Sequence, residues 1–182
     1  MVPVAGATFL DFEGLADRAK IPDGYGGFDW SGWFWALDAA RDPRPSGYKD
    51  GLVSGKNVAL NGFFADVSFW IPSGTFTLNS LYLTGAFNDG LHVDITGCPG
   101  GSQVHSTTVV LNSTARTRAV LDWSGIDEVA FHSYGGQAHG YPDGSGEHFV
   151  IDDLEVNSVP AVPGPLAALP FLLGLVVRRR RR

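Results

Sequence analysis

The residues best suited to hold a ligand are aromatic side chains concentrated between positions 25 and 35, namely Tyr25, Phe28, Trp30, Trp33 and Trp35. Sugars present C–H faces that stack on aromatic rings, so exposed tryptophans would suit a glycan, yet large aromatic side chains are also typical of protein cores. Trp33 and Trp35 lie two residues apart and would share one face of an extended strand, whether that face is buried or exposed. Burial in the core is the favoured interpretation of this cluster, and Tyr25, Trp30, Trp33 and Trp35 are the candidate ligand-binding residues if the rings are exposed instead.

Elsewhere the sequence carries little recognisable chemistry. Tyr134, His139 and Tyr141 lie in a glycine-rich segment that is either a second binding rim or a plain loop. The five histidines never occur in the His-Glu-x-x-His spacing of a zinc site, and no Gly-x-Ser-x-Gly pattern marks a nucleophilic serine. A pair of acids for glycoside hydrolysis depends on distance in space, so Glu128 and Glu147 stay open as such a pair. We expect no catalytic residue and no enzymatic activity.

The charge of the chain is unevenly distributed. All nineteen acidic residues precede position 159, together with eight of the thirteen lysines and arginines, so this body has a formal charge of −11. Nucleic-acid binding needs a basic face for the phosphates, and an acidic body argues against that class of partner. Cys98 is the single cysteine, so an internal disulfide is impossible, and we expect it to be a small buried residue.

Short β-strand patterns dominate residues 7–157. Nine segments rich in β-branched and aromatic residues are separated by Gly, Asn, Asp and Pro, which favour turns. These segments are residues 7–13, 57–65, 67–71, 74–84, 91–96, 103–112, 116–122, 128–134 and 148–156. They predict an all-β fold, an antiparallel β-sandwich of jelly-roll type. Residues 14–50 are expected to be irregular, because their glycines and prolines preclude a long helix.

The end of the chain has three parts: a Pro-rich hinge over residues 158–165, an apolar run over 166–177, and the arginines Arg178 to Arg182. The apolar run predicts a short hydrophobic helix, which together with the arginines forms the segment 166–182. Its twelve residues would span roughly 18 Å, well short of the ~30 Å hydrocarbon core of a membrane. Arginines stay on the cytoplasmic side of a membrane, which would place the body outside. The pattern is typical of a processing signal. A helix packed on the body is the alternative, disfavoured by the adjacent arginines.

In its order of hinge, apolar helix and arginine cluster, this tail resembles the PEP-CTERM sorting signal of bacterial extracellular proteins. The hinge reads Val-Pro-Ala-Val-Pro-Gly-Pro, where the family has Val-Pro-Glu-Pro. The matching residues are Val159, Pro160, Pro163, Pro165, Arg178, Arg179, Arg180, Arg181 and Arg182. The resemblance implies export, transient attachment to the inner membrane and processing by an exosortase-type membrane enzyme. Residues 1–6 are small and apolar, and we interpret them as the remnant of a signal peptide.

Two motifs of the body, Leu10-Asp-Phe-Glu-Gly and Phe149-Val-Ile-Asp-Asp-Leu, resemble the terminal strands of galactose-binding-like jelly rolls, which include many carbohydrate-binding modules. In that group the first and last strands lie together, and their acidic side chains often bind a structural calcium ion. The resemblance therefore implies calcium ligands, which here would be Glu13, Asp152 or Asp153, and Asp11. Ca²⁺ prefers carboxylate and carbonyl oxygens. Successive strand residues face opposite ways, so Asp152 and Asp153 would share a site only at a bulge. The alternative is that these acids are solvated or bind nearby backbone.

Taken together, these patterns predict an exported, exosortase-processed protein of the cell surface or exopolysaccharide matrix, with a non-catalytic β-sandwich. A carbohydrate-binding module that recognises an extracellular glycan is the alternative, and a secreted polysaccharide hydrolase has the weakest support. The expected partners are the exosortase, exopolysaccharide and, transiently, the inner membrane, with no nucleic acid. Structural Ca²⁺ is the one cofactor that the sequence implies.

Overall fold

The computed structural model describes residues 6–158, which form fourteen β-strands, one α-helix and two single 3₁₀ turns. The strands are β1 (Ala7–Leu10), β2 (Ala19–Lys20), β3 (Asp29–Trp30), β4 (Phe34–Asp38), β5 (Asn57–Asn61), β6 (Val67–Trp70), β7 (Phe76–Gly85), β8 (Asn88–Asp89), β9 (Leu91–Cys98), β10 (His105–Leu111), β11 (Thr117–Ile126), β12 (Glu128–Tyr134), β13 (Gln137–Ala138) and β14 (Phe149–Ser158). Helix α1 spans Gly47–Asp50, and the 3₁₀ turns span Tyr25–Gly27 and Gly62–Phe64. Across residues 6–158, helices of the length and apolar character needed to cross a membrane are absent.

The strands assemble into two main sheets, and the pairings described are antiparallel. The larger sheet follows the order β11-β7-β14-β5-β4-β2, and β1 joins it beside β14. The smaller sheet follows the order β10-β9-β12-β6-β3, while β8 and β13 form a separate pair. The first and last strands pair from Ala7 opposite Asn157 to Leu10 opposite Leu154. The structure therefore confirms the predicted antiparallel β-sandwich of jelly-roll type, with its first and last strands side by side.

The main core lies between the two sheets and follows the two-residue period of the strands. In β9, Leu91, Val93 and Ile95 are fully buried, whereas the alternate residues His92 and Asp94 are only half-buried. Much of the core is filled by the buried rings of Phe12, Phe28, Phe34, Phe69, Phe76, Phe131 and Phe149. Burying one such side chain contributes about 1.5–3 kcal/mol, so these rings are a major source of stability.

A second apolar cluster lies on the outer face of the larger sheet. In β4, Phe34 and Ala36 face the main core, whereas Leu37 packs into this second cluster with Tyr48 of α1. Trp35 alternates with Phe34 and Ala36 and therefore also faces outward. The segment between β4 and β5, which carries α1, covers part of the sheet in this way. The candidate site lies next to this cover.

All nine predicted strands are present, and β12 has its predicted bounds. The prediction was wrong for part of residues 14–50, where β2, β3 and β4 occur in a stretch expected to be irregular. β4 pairs with β5 from Phe34 opposite Asn61 to Asp38 opposite Asn57. A strand this short is held by a partner distant in sequence, so the local content of glycine and proline did not reveal it.

Both ends of the chain lie largely outside the described residues. Of residues 1–6 only Gly6 is described, and of the hinge over 158–165 only Ser158, which is the last residue of β14. The predicted hydrophobic helix and arginine cluster of 166–182 fall outside the described range. The sorting-signal prediction therefore stays a prediction.

Candidate ligand-binding site

The four predicted ligand-binding residues fall into two groups. Trp30 lies in the core, 4% exposed, with its ring edge-on to Phe34 at a centroid distance of 5.1 Å. Its Nε1 donates a hydrogen bond to the backbone oxygen of Tyr25 at 3.0 Å. Tyr25 is half-buried and stacks on Phe12, with 5.9 Å between ring centroids. The structure thus corrects the assignment of Trp30, which belongs to the core, and separates Tyr25 from the other two tryptophans.

Trp33 and Trp35 lie outside the core, where both contact Phe63. The centroid of the Phe63 ring is 5.4 Å from that of Trp33 and 6.4 Å from that of Trp35. Trp33 is 46% exposed, and the Nζ of Lys20 lies over its ring at 5.1 Å. The Nε1 of Trp35 is buried without a hydrogen-bond partner among the described residues. Buried N–H groups are normally paired, so this indole N–H is an exception within the part of the chain that the structure describes.

A pocket of about 280 Å³ opens beside Trp35, and we call it the aromatic pocket. It is lined by Arg18, Trp35, Ala36, Leu37, Arg44, Tyr48, Leu60, Gly62, Phe63, Phe64 and His148. Phe63 and Phe64 are 71% and 48% exposed and stand at its rim, with Trp33 next to Phe63. Exposed aromatic rings gathered around a concave surface are typical of a binding site.

The turn Gly62–Phe64 holds its two phenylalanines in a strained backbone. Phe63 and Phe64 both have a φ of 58°, in the left-handed region that residues other than glycine rarely adopt. Each such residue costs about 1–3 kcal/mol, and strain of this kind clusters at functional sites. A Cβ added to Gly62 would lie 2.6 Å from Cδ1 of Trp35, so the indole packs directly against the backbone of the turn.

Two arginines bring charge to the aromatic pocket. Arg44 forms a bidentate ion pair with the buried Asp42, with Nε 2.9 Å from Oδ1 and Nη2 2.6 Å from Oδ2. This hydrogen bonding to Arg44 keeps the pKa of Asp42 below its usual value. The guanidinium of Arg44 also lies over the Tyr48 ring at 6.0 Å. Arg18 has a side chain that is 59% exposed, and it lies 3.8 Å from Asp17 and 3.9 Å from Asp42.

His148 forms another part of the pocket wall. Its Nδ1 lies 2.7 Å from the backbone oxygen of Asn61. A carbonyl oxygen only accepts, so Nδ1 carries the proton and Nε2 is left as an acceptor. The imidazole packs against Phe64 at 4.3 Å and Phe87 at 5.8 Å between ring centroids. Burial lowers the pKa of His148, which favours the neutral ring at pH 7.

The predicted calcium ligands Glu13 and Asp11 bind backbone in the structure. Oε1 of Glu13 accepts hydrogen bonds from the N–H groups of Lys56 and Asn57 at 2.7 and 2.8 Å. Oδ1 of Asp11 accepts one from the N–H of Glu13 at 3.1 Å. Glu13 therefore ties the segment after β1 to the start of β5.

Asp152 and Asp153 lie at a register shift between β14 and β7, the kind of irregularity that a site shared by both side chains would need. Asp152 is fully buried, and its Oδ2 accepts hydrogen bonds from the N–H groups of Val53 and Ser54 at 2.7 and 3.1 Å. Oδ1 of Asp153 accepts one from the Ser54 hydroxyl at 2.6 Å. Burial raises the pKa of Asp152 to about 6.

These contacts bear on the calcium prediction. Calcium takes six to eight oxygen ligands, whereas Glu13 and Asp152 face backbone N–H donors, which repel a cation. Within residues 6–158, His, Cys, Asp and Glu side chains do not gather in threes or more around a point that could hold a metal. The sequence left open that these acids form hydrogen bonds with nearby backbone, and the contacts of Glu13, Asp11 and Asp152 are of that kind. Calcium binding stays a prediction without support from the described contacts.

The possible second binding rim, Tyr134, His139 and Tyr141, does not form one cluster in the structure. Tyr134 stacks on His92 across β12 and β9, with 5.2 Å between ring centroids. His139 instead lies with Nδ1 2.6 Å from Asp89 and packs against Tyr141 at 4.6 Å. The hydrogen bond from His139 is the main cause that lowers the pKa of Asp89 to about 2.

The fold and the pocket together describe a jelly-roll β-sandwich with an aromatic cavity on the outer face of one sheet. No protein-family model matches the sequence, and no curated protein matches it either. Among solved structures, the K2 cleaved adhesin domain of Lys-gingipain has a TM-score of 0.50 at 12% identity, over 84% of this chain and 98% of that domain. A DUF4465 family protein from Bacteroides ovatus has a TM-score of 0.51 at 10% identity, over 86% of this chain and 90% of that protein.

A third structure, TmCBM61 in complex with β-1,4-galactotriose, gives a TM-score of 0.40 at 12% identity, over 78% of this chain and 98% of that module. That score is too low to support a shared fold by itself. The first two similarities extend over most of both chains and support the β-sandwich fold. At sequence identities of 12% and 10%, these two similarities support the fold and carry no argument about function.

Sequence reasoning found two residues of the site, Trp33 and Trp35, and missed the rest of the wall. Phe63 and Phe64 were assigned to a strand over residues 57–65, although the adjacent glycine and paired aromatics were a signal for an exposed turn. His148 gave no such signal. It joins the pocket only because β14 pairs with β5.

Proposed function

We propose that this chain is a non-catalytic binding module that recognises a glycan through the aromatic pocket. The observation that carries the proposal is the group of exposed rings, Trp33, Phe63 and Phe64, beside a cavity walled by Trp35 and Tyr48. Aromatic faces stack on the C–H faces of sugars, and the three exposed rings offer such faces. The cavity lies near the lower end of the ~300–1,000 Å³ of small-ligand sites, which suits a short stretch of sugar.

The backbone strain of the turn supports the same proposal. Phe63 is 71% exposed, so its ring gains little from burial, yet its φ of 58° is one that glycine would adopt without cost. Strain of this kind clusters at ligand-binding sites, so the position of this ring supports a contact with a ligand.

The test is a glycan array followed by titration with the best-bound glycan, using the full chain and its variants. We expect Phe63→Gly and Trp33→Ala each to weaken binding at least tenfold, about 1.4 kcal/mol. Trp70 is 36% exposed on the smaller sheet, so Trp70→Ala is the matched control and should bind as the parent does. Phe63→Gly removes the strained side chain and should leave the thermal midpoint unchanged or raise it. Glycan binding that survives both pocket substitutions would overturn the proposed site.

We also propose that the module is exported and retained at the cell surface or in the exopolysaccharide matrix after processing by an exosortase-type enzyme. The support is the order of hinge, apolar run and arginines in residues 158–182. An adhesin domain among the solved structures of similar fold is in keeping with such a location. Intact-mass analysis of the protein from its native host tests this proposal. A cytoplasmic chain that retains all five arginines would refute it.

A hydrolase is not part of the proposal. Of the two glutamates left open for such a role, Glu147 accepts the N–H of Gly135 through Oε1 at 2.8 Å. Glu128 lies at the start of β12, opposite Trp70 and Cys98 in the flanking strands. Neither residue lines the aromatic pocket. Enzymatic activity on the bound glycan that is lost in Glu128→Gln or Glu147→Gln would revive this alternative.

A further inference from the structure

We propose that the aromatic pocket selects an acidic glycan, with the carboxylate of a uronic-acid residue bound by Arg18 and Arg44 while the sugar ring lies against the aromatic wall. This inference rests on the proposed function of glycan binding, and it adds the chemical class of the ligand. It is carried by the charge of the pocket and by the way its two arginines are held.

The charge of the pocket differs from that of its surroundings. Residues 57–158 contain eleven acidic and two basic residues, whereas residues 17–56 contain six of each. The charged side chains that line the pocket are both arginines, Arg18 and Arg44. An anionic ligand is therefore repelled by most of the body and meets two guanidinium groups at the pocket.

The guanidinium of Arg44 is fixed in its orientation by contacts within the protein. Its Nε and Nη2 are fixed by Asp42, whose side chain is only 1% exposed, and its Cζ lies 6.0 Å from the centroid of the Tyr48 ring. In the described contacts Nη1 of Arg44 has no hydrogen-bond partner. A guanidinium oriented by a buried carboxylate loses little side-chain entropy when it binds a second anion.

Arg18 is held less tightly and remains open to solvent. The nearest oxygens of Asp17 and Asp42 lie 3.8 and 3.9 Å away, beyond ordinary hydrogen-bond length. Arg18 also has a φ of 53°, so an arginine occupies a backbone conformation that favours glycine. Three of the six described non-glycine residues with positive φ, namely Arg18, Phe63 and Phe64, line this one pocket.

The nearby carboxylates leave room for a ligand anion. Asp42 has a side chain that is only 1% exposed and does not line the pocket, and its short contact is with Arg44 at 2.6 Å, whereas Arg18 lies 3.9 Å away. Asp17 accepts the N–H of Asp38 at 2.9 Å through Oδ1, which holds its side chain in place. A ligand carboxylate would therefore compete with the long contacts from Asp17 and Asp42 to Arg18, while the shorter pair of Asp42 and Arg44 stays in place.

The shape of the site favours a carboxylate on a sugar over other anions. A planar guanidinium matches a planar carboxylate at two points, and the adjacent wall of rings requires a ligand with an apolar face. A uronic-acid residue carries both features on one ring. A sulfate ester lacks the planar geometry, which gives the experiment a direct comparison.

The test compares polygalacturonate, neutral galactan and dextran sulfate as ligands for the full chain, at low salt and in about 0.5 M NaCl. We expect polygalacturonate to bind at least tenfold more tightly than galactan, and salt to reduce that preference. Arg18→Gln should remove the preference for polygalacturonate over galactan. Arg118→Gln changes an exposed arginine of β11 that pairs with Glu155, and it should change neither affinity. The thermal midpoint of each variant checks that it folds.

Several outcomes would overturn the inference. Equal affinity for galactan and polygalacturonate would refute it and leave glycan binding intact. Dextran sulfate bound as tightly as polygalacturonate would refute the carboxylate geometry. A preference unchanged in Arg18→Gln would refute the role of that residue. A chain that bound no glycan on the array or in solution would refute the proposed function and the inference together.

Discussion

Asp152 has the most deeply buried carboxylate of the described chain, and three backbone N–H groups donate to it. Burial opposes its charge, the hydrogen bonds favour it, and burial dominates, so its pKa rises from 3.8 to about 6. Between these two values the folded protein holds the proton more tightly than the unfolded chain does. Linkage then requires this group to lower the free energy of unfolding as the pH rises from about 4 to about 6.

We therefore predict that Asp152→Asn changes the pH dependence of stability. Relative to the variant, the parent should lose roughly 3 kcal/mol of unfolding free energy between pH 4 and pH 7, since one pKa unit corresponds to about 1.4 kcal/mol. Urea unfolding of both proteins across this range measures the difference, in which the other titrating groups cancel. A difference that stays constant with pH would contradict the assignment.

Glu13 allows the bracing role of the acids to be separated from calcium binding. Its carboxylate accepts two consecutive N–H groups at the start of β5, and hydrogen bonds to a charged group contribute about 1.5–3 kcal/mol. We predict that Glu13→Gln lowers the free energy of unfolding by about 1–3 kcal/mol even in EDTA, whereas Glu128→Gln, outside this group, has a smaller effect. If calcium raises the stability of the parent and EDTA abolishes the effect of Glu13→Gln, the acids bind metal instead.

Among the elements, the turn Gly62–Phe64 is the one on which the pocket most depends. The turn exposes the rings of Phe63 and Phe64 to solvent. Gly62 packs so closely against Trp35 that no side chain would fit at this position. A Cβ at Gly62 would lie 2.6 and 2.7 Å from Cδ1 and Nε1 of the indole, so the ring would have to move. The position of Trp35 and the conformation of the turn are therefore one structural unit.

We predict that Gly62→Ala displaces Trp35, weakens glycan binding at least tenfold and lowers the thermal midpoint. Gly32→Ala is a matched control, because the nearest atom to its added Cβ is Nζ of Lys20 at 3.6 Å, an ordinary contact. Calorimetric titration and thermal denaturation of the two variants provide the comparison. Equal behaviour of the two variants would show that the turn does not position the indole.

The elements also show which parts of this structure were accessible from sequence. β12 was predicted with its bounds because its alternation of apolar and polar residues is a local signal. β2 and β3 have two residues each and exist through pairing with β4 and β6, which no local pattern encodes. Alternation indicated that Asp152 and Asp153 could share a site only at a bulge, but it did not predict that a bulge occurs there. The N–H donors that face Asp152 come from a segment about a hundred residues away, which no local pattern encodes.

The site was predictable to a smaller extent than the fold. The density of tryptophans indicated the stretch that supplies Trp33 and Trp35 to the candidate site, and their spacing indicated a shared side of the strand. Density does not say which side is buried, so Trp30 was grouped with them although its ring faces the core. Arg18 and His148 are far apart in sequence and meet at the pocket because of the strand order, which is a property of the sheet rather than of a motif.

At the scale of the whole molecule, β14 lies inside the larger sheet between β7 and β5, and it also pairs with β1. β14 pairs with β7 as far as Ser158 opposite Phe76, and with β1 from Leu154 to Asn157. Leu154 and Val156 are buried in the core that these strands enclose. The hinge begins where this pairing ends, so a cut in the hinge would leave both sheets and the core with all their described contacts.

We predict that a chain ending at Ser158 keeps the fold and the ligand affinity of the full chain. Its thermal midpoint should agree within about 2 °C, since the described core and pocket lie wholly before this point. A chain ending at Leu154 loses the register partners of Ala7, Thr8 and Phe9 along with buried Val156, and we expect it to lose cooperative unfolding. Thermal denaturation and glycan titration of the two truncations make the comparison. A chain ending at Ser158 that failed to fold would mean that residues 159–182 belong to the sandwich, and a processing signal would then be the wrong interpretation of the tail.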